Sequence, residues 1–132
     1  MKKGYIYKVV DALNNPHRIV LMEDETSGKK KVKGVGLTHN SKGGKYIKNM
    51  PLKKEYFEET DEHGHKYDFQ WHDLGNGRVT SMMKTGFEKP IELLIEPPVG
   101  KIKDEYIHII EENVGEYIEC STAVKKYQTG HK

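Results

Sequence analysis

Three runs of aromatic and β-branched residues, separated by short polar turns, occupy the start of the chain. Such residues are typical of strands, so residues 4–10, 18–23 and 31–38 are each predicted to form one. The third run contains glycine at two alternate positions, Gly34 and Gly36. Glycines spaced in this way permit a close approach of another group or a sharp bend of the sheet. The pattern therefore predicts neighbouring strands that bend tightly at the third one.

Weaker strand patterns follow in the middle of the chain. They occur at residues 46–52, 67–71, 78–83 and 91–95. In the second of these segments aromatic and polar side chains alternate, which is the pattern of a half-buried strand. The turn Gly75-Asn76-Gly77 precedes the third segment and favours a hairpin. Pro97-Pro98 is expected to end the fourth, because proline cannot donate to a strand ladder.

Near the C-terminus the apolar residues recur three and four positions apart. They are Ile102, Tyr106, Ile109, Ile110, Val114, Tyr117 and Ile118. This spacing predicts one amphipathic helix over residues 102–118. Short strands followed by one helix indicate a mainly β fold, here a small, strongly bent antiparallel barrel closed by the helix. Residues 1–120 are expected to form a single domain and residues 121–132 a flexible tail.

The composition fits one small domain with a heavily charged surface. Hydrophobic residues make up 35% of the 132 positions and charged residues 32%. No apolar run approaches the roughly 20 residues that span a bilayer, and the N-terminus lacks the features of a secretory signal. The single cysteine, Cys120, excludes an internal disulfide and a cysteine-based zinc cluster. A cytoplasmic protein is therefore expected, without a membrane partner.

The charges are segregated along the chain although the net charge is only +2. Residues 26–54, the basic block, hold nine Lys and no acidic residue. Residues 55–62 hold five acidic residues, and residues 104–119 hold six with no Lys or Arg. A polyanion is attracted to the basic block and repelled by the other two. This distribution favours nucleic-acid binding, although solvated surface charge is an equally good interpretation.

Four short segments, in their order along the chain, resemble the MazF/PemK family of toxin endoribonucleases, whose fold is related to that of CcdB. Lys3-Gly4-Tyr5-Ile6-Tyr7 is similar to the family's opening strand, and Pro16-His17-Arg18 precedes an aliphatic strand where the family has Arg-Pro. Val35-Gly36-Leu37-Thr38-His39 falls where the family has an aliphatic strand ending in Thr-Ser. Val99-Gly100-Lys101-Ile102 resembles the entry into its last helix. The chain departs from the family in lacking the Arg-Pro dipeptide itself.

The resemblance implies that the barrel is SH3-like. It also implies a toxin of a toxin–antitoxin system that cleaves single-stranded RNA without a metal ion or other cofactor. It also implies a homodimer, inhibited by an antitoxin protein that lies across the substrate groove. Arg18, or His17, matches the family's catalytic arginine, and Thr38 matches its catalytic threonine. The loop at residues 40–45 then lines the RNA groove.

The residue types at two strand ends also suit this chemistry. Metal-free RNA cleavage needs a base for the ribose 2′-OH, a donor or cation for the phosphate, and an acid for the leaving oxygen. His17, Arg18, Thr38 and His39 supply imidazole, guanidinium and hydroxyl groups at the ends of neighbouring strands. These four are the predicted catalytic residues. The predicted RNA-binding residues are Lys31, Lys33, Asn40, Ser41, Lys42, Lys45, Arg78 and Lys84.

Other interpretations stay open. Each of the four catalytic candidates is also an ordinary strand or turn residue. His63 and His65 with His72 have donor atoms for a metal, but their spacing matches no known motif, and no metal site is predicted. Aromatic residues at 67–71 suit either base stacking or a core. The alternative functions are a non-catalytic nucleic-acid-binding barrel and a protein-interaction module that uses the acidic helix.

Overall fold

The computed structural model describes residues 1–10, 16–39 and 49–119. Within them lie eight strands: β1 Tyr5–Val10, β2 Pro16–Leu21, β3 Lys31–Thr38, β4 Met50–Pro51, β5 Ser81–Met82, β6 Thr85–Pro90, β7 Leu94–Lys101 and β8 Glu116–Glu119. One α-helix, α1, spans Ile107–Asn113, and single 3-10 turns occur at Lys54–Tyr56, Ile91–Leu93 and Asp104–Tyr106. The predicted RNA loop at residues 40–45 and the predicted tail at residues 121–132 lie outside the described residues. The mainly β class is confirmed.

The strands form one sheet in the order β4-β5-β3-β2-β1-β7. Outside this order, β6 pairs with β3, and β8 pairs with β6. All pairs are antiparallel except β6 with β8, which are parallel. β3 pairs with β2 along one edge, while its other edge pairs with β6 at the start and β5 at the end. The described strands β4 and β7 do not pair with each other, so the sheet is not closed.

Apolar side chains cover both faces of the central strands. In β1, Ile6 belongs to one buried cluster, whereas Tyr7 and Val9 belong to the other. Because Gly34 and Gly36 have no side chains, other side chains approach one face of β3 closely, as the sequence predicts. A Cβ at Gly36 would lie 2.7 Å from Met83 Sδ, and one at Gly34 would lie 3.0 Å from the Ile19 Cδ1 atom. The side chains of Met83 and Ile19 therefore pack directly against the β3 backbone at these positions.

The helix is shorter than the predicted range of 102–118. It ends at Asn113, whose side-chain Nδ2 donates to the Ile109 carbonyl at 2.7 Å. Val114 has extended backbone angles (φ −82°, ψ 122°), and the chain then forms β8 beside β6. Tyr117 packs in β8 against Gly86, where any side chain would clash with its ring. Tyr117 and Ile118, which continue the helical spacing, are therefore partly buried in a strand instead of a helix. None of the described helices is long and apolar enough to cross a membrane.

Two other strand predictions are wrong. Residues 67–71 form no strand; Phe69 is buried and its backbone N–H donates to the Val99 carbonyl at 2.8 Å. Pro97 and Pro98 do not end a strand, because β7 runs through both. Among the described strands β7 pairs only with β1, so it is an edge strand, where a missing N–H faces no strand partner. The predicted strands at 46–52 and 78–83 shrink to β4 and β5 among the described residues.

Candidate functional site

The predicted catalytic residues meet at the corner where β2 begins and β3 ends. Arg18 of β2 pairs in register with Leu37 of β3. In an antiparallel pair this register brings the first residues of β2 beside the last residues of β3. Thr38, the last residue of β3, also pairs with Ser81 of β5 on its other side. The sheet therefore places the two segments as neighbours, as the sequence predicts.

A cavity of about 360 Å³ opens at this corner. We call it the corner cavity; its lining residues are His17, Arg18, Leu37, Thr38, His39, Asp68, Phe69, Gln70 and His72. All four predicted catalytic residues are among them. The other wall comes from residues 68–72, which the sequence analysis assigned to a strand and not to the site.

His39 is packed between two aromatic rings. Its imidazole stacks on Phe69 with the ring centroids 6.1 Å apart and the planes 8° from parallel. The ring of His72 meets it edge to face at 5.4 Å. His39 Nε2 is buried and has no hydrogen-bond partner among the described residues. A buried polar atom without a partner is uncommon in folded proteins and is a position where a ligand group can bind.

Burial lowers the pKa of His39 below its ordinary value of 6.5. The neighbouring groups act in the same direction, since His72, Arg18 and Arg78 each disfavour a second positive charge there. His39 is consequently neutral over a wider pH range than a free histidine. A neutral imidazole with an unpartnered ring nitrogen can accept a proton from a bound hydroxyl group.

His72 is exposed, but its ring has a fixed tautomer. The Nδ1 atom lies 2.9 Å from the backbone carbonyl of Gln70. A carbonyl only accepts, so Nδ1 carries the proton and Nε2 is the acceptor of the neutral ring. The backbone N–H of His72 donates to Thr80 Oγ1 at 2.8 Å, which holds the segment against the buried start of β5.

The predicted RNA-binding residues are only partly near the corner cavity. Arg78 is close enough to lower the pKa of His39. Lys33 lies at the opposite end of β3, roughly 17 Å of strand from Thr38, with its Nζ 5.4 Å from the Tyr117 ring centroid. Lys31, farther along, lies 3.9 Å from a Glu119 carboxylate oxygen. The structure therefore does not bring these two lysines to the cavity.

Of the remaining predicted RNA-binding residues, the structure describes one, Lys84. Lys84 is exposed and does not line the corner cavity; its backbone carbonyl accepts from the Gly115 N–H at 2.8 Å. Asn40, Ser41, Lys42 and Lys45 lie outside the described residues.

His63 and His65 are not joined by His72. Both rings are exposed, with their centroids 6.3 Å apart, and the Asp61 carboxylate accepts the backbone N–H of each. His72 instead contacts His39 in the corner cavity. Residues 1–10, 16–39 and 49–119 contain no group of three or more histidine, cysteine or acidic residues arranged to hold a metal ion.

The lowered pKa of His39 predicts a loss of stability in acid. In the unfolded chain this histidine binds a proton near pH 6.5, whereas the folded protein resists protonation until lower pH. Stability should therefore fall as the pH drops below 6.5 toward the folded pKa, and the His39→Leu variant should lack this part of the fall. Urea unfolding at about pH 8 and about pH 5 measures the difference. His63→Leu, at an exposed histidine, is the control; an identical decline in wild type and His39→Leu would contradict the assignment.

Five lining residues are not among the predicted site residues: Leu37, Asp68, Phe69, Gln70 and His72. The alternation of aromatic residues at 67–71 indicates a half-buried strand suited to a core or to base stacking, and no local signal connects this segment with β2 and β3. The chain matches no protein-family model, no curated protein and no solved structure.

Proposed function

We propose that the protein is a metal-independent endoribonuclease that cleaves single-stranded RNA in the corner cavity. The observation that carries the proposal is the convergence of His17, Arg18, Thr38 and His39 on one cavity, with the His39 Nε2 atom buried and unpartnered. Residue types and the family resemblance point to these four residues, and all four line the same cavity at the start of β2 and the end of β3.

In the proposed reaction the ribose 2′-OH attacks the adjacent phosphorus and the bond from phosphorus to the 5′-oxygen breaks. His39 Nε2 accepts the 2′-OH proton, because its lowered pKa keeps the ring neutral. The Arg18 guanidinium binds the phosphate oxygens through its planar pair of donors and stabilises the charge that develops on them.

Thr38 and His17 complete the phosphate side of the cavity. The Thr38 hydroxyl is a hydrogen-bond donor for a non-bridging oxygen, in agreement with the catalytic threonine that the family resemblance implies. His17 precedes Arg18 at the start of β2 and is exposed, so it can contact the RNA backbone beside the scissile bond. Neither residue needs a metal ion for these roles.

The same proposal includes the architecture and partners expected of a MazF/PemK-type toxin. One edge of β3 pairs with β6 at its start and with β5 at its end. A strand that changes partners along one edge is typical of a strongly bent sheet, which supports an SH3-like barrel. The basic block, residues 26–54, supplies cations for the RNA backbone. Homodimerisation, inhibition by an antitoxin protein and a cytoplasmic location belong to this proposal as well.

A second candidate is a nucleic-acid-binding protein without catalysis. It is favoured by the basic block and by the absence of the Arg-Pro dipeptide. Stacking of bases on residues 67–71 has less support, since Phe69 is buried and the Trp71 indole N–H donates to the Leu52 carbonyl at 2.7 Å. The third candidate, a protein-interaction module, uses the exposed acidic side chains of α1, Glu111 and Glu112.

Incubation of the purified protein with a long single-stranded RNA in EDTA separates these functions. Discrete cuts, mapped at the RNA ends, support the endoribonuclease. Intact RNA that shifts on a native gel, with a shift that weakens in salt, contradicts cleavage and favours the binding protein. RNA that is neither cut nor shifted contradicts both and favours the protein-interaction module.

A further inference from the structure

The corner cavity holds a pair of histidines, and the proposed reaction uses only one of them. His39 and His72 meet edge to face with ring centroids 5.4 Å apart. Among the described residues, His39 Nε2 is buried without a hydrogen-bond partner, and the ring of His72 makes its hydrogen bond through Nδ1, with the Gln70 carbonyl. Neither Nε2 atom is therefore occupied by a hydrogen bond within the described part of the cavity.

The hydrogen bond of His72 fixes which nitrogen can exchange a proton with a ligand. Because Nδ1–H is directed to the Gln70 carbonyl, the proton gained or lost during a reaction is the one on Nε2. The segment that carries His72 is itself held in place. Its backbone is bonded to Thr80, and the Gln70 side chain donates to the Tyr67 carbonyl at 2.7 Å and to the Glu59 carbonyl at 3.2 Å.

The two rings have different surroundings. His39 is stacked on Phe69 and its ring nitrogen is out of contact with solvent, whereas His72 is exposed. The charged groups that act on His39 are His72, Arg18 and Arg78, and all three keep it neutral. His17 and Asp68 are the other titratable groups that line the cavity. Two neighbouring imidazoles, one buried and one exposed, are a pair from which acid–base catalysis can draw a base and an acid.

We propose that His72 is the general acid of the corner cavity and donates the proton on its Nε2 to the leaving 5′-oxygen, while His39 is the base. This inference rests on the proposed ribonuclease function. The bond from the 2′-oxygen to phosphorus forms as the 2′-OH proton passes to His39. The bond from phosphorus to the 5′-oxygen breaks as His72 gives up its proton. The products are a 2′,3′-cyclic phosphate and a 5′-hydroxyl, with one proton moved from His72 to His39.

An RNA oligomer with sulfur in place of the 5′-bridging oxygen at the cut site tests this role. A thiolate leaves without protonation, so this substrate needs the base and the phosphate-binding residue but no acid. We expect His72→Gln to slow cleavage of the ordinary RNA by at least about a hundredfold and to cleave the sulfur substrate close to the wild-type rate. His39→Gln should be slow on both substrates. His65→Gln, at an exposed histidine outside the cavity, is the matched control and should cleave both at the wild-type rate.

The failures of the two proposals are distinguishable. If the wild-type protein leaves both RNAs intact, the ribonuclease function is wrong and the role of His72 with it. If the wild type cleaves RNA and His72→Gln retains full activity, or is equally slow on both substrates, only the general-acid role is overturned. Circular dichroism melting of each variant verifies the fold; the backbone bonds of His72 do not involve the substituted ring.

Discussion

Replacing Arg18 with Ala should reduce the rate of RNA cleavage by about a hundredfold to a thousandfold, because the variant loses the cation that stabilises the phosphate in the transition state. Arg18→Lys should have an intermediate rate, since it keeps the charge but loses the planar pair of donors. Both rates are measured with a labelled single-stranded RNA in EDTA.

Lys8→Ala is the matched control for this prediction. Lys8 pairs with Arg18 across β1 and β2, is exposed, and does not line the corner cavity. The Lys8→Ala substitution therefore removes a surface cation close to Arg18 and leaves the lining of the corner cavity unchanged. Full activity of Arg18→Ala, or equal losses in Arg18→Ala and Lys8→Ala, would show that the position of the guanidinium is irrelevant.

The His39→Ala variant should lose about a hundredfold to ten-thousandfold of the cleavage rate, as expected when a general base is removed. The wild-type rate should rise with pH on its acidic side, and that rise should lie below pH 6.5 because burial and the nearby His72, Arg18 and Arg78 lower the pKa of His39. In Arg78→Ala one of these cations is absent, so the rise should move to higher pH. The pH dependence of single-turnover cleavage measures both effects.

His63→Ala is the control for the loss of an imidazole, because His63 is exposed and lies outside the corner cavity. It should leave both the rate and its pH dependence unchanged. If His39→Ala cleaves RNA at the wild-type rate while melting like the wild type, His39 is not the base. If the acidic rise in Arg78→Ala stays where it is in the wild type, Arg78 does not act on the group that titrates.

The first part of the fold and the location of the site follow from local sequence patterns. β3 coincides with its predicted strand and β1 begins one residue later than predicted, because β-branched and aromatic residues are concentrated there between turns. β2 runs over Pro16–Leu21, two residues earlier than the predicted 18–23. Strands that follow one another closely in sequence tend to pair, so the start of β2 was expected beside the end of β3. That expectation alone brings Arg18 and Thr38 to one corner.

The rest depends on contacts between residues far apart in the sequence. Phe69 is placed by its bond to Val99 and His72 by its bonds to Thr80, and neither partner is marked by a local pattern. Spacing instead grouped His72 with His63 and His65. The apolar residues of β8 have helical spacing, yet Tyr117 packs on Gly86 of β6, which is 31 positions earlier in the sequence.

Linear charge was also a poor guide to the site. The basic block holds nine lysines in sequence, but β3 carries Lys31 and Lys33 to its far end, next to Glu119 and Tyr117. Among the described residues, the arginines that lower the pKa of His39 are Arg18 and Arg78, which are 60 positions apart in the sequence and outside the basic block. Successive residues of a strand are about 3.3 Å apart along its axis, so charged residues that are close in sequence can lie far from one end of the strand.

The most direct test of the proposed chemistry is to determine the chemical structure of the RNA ends produced in EDTA. Two RNA oligomers are compared, which differ only in a single 2′-deoxynucleotide placed immediately 5′ of the cut in the second. We predict a 2′,3′-cyclic phosphate and a 5′-hydroxyl from the first RNA, and no cut at that position in the second, because the attacking 2′-OH is missing. Cleavage of the deoxy-substituted RNA at the same position, or ends that carry a 5′-phosphate, would contradict attack by the 2′-OH in the corner cavity.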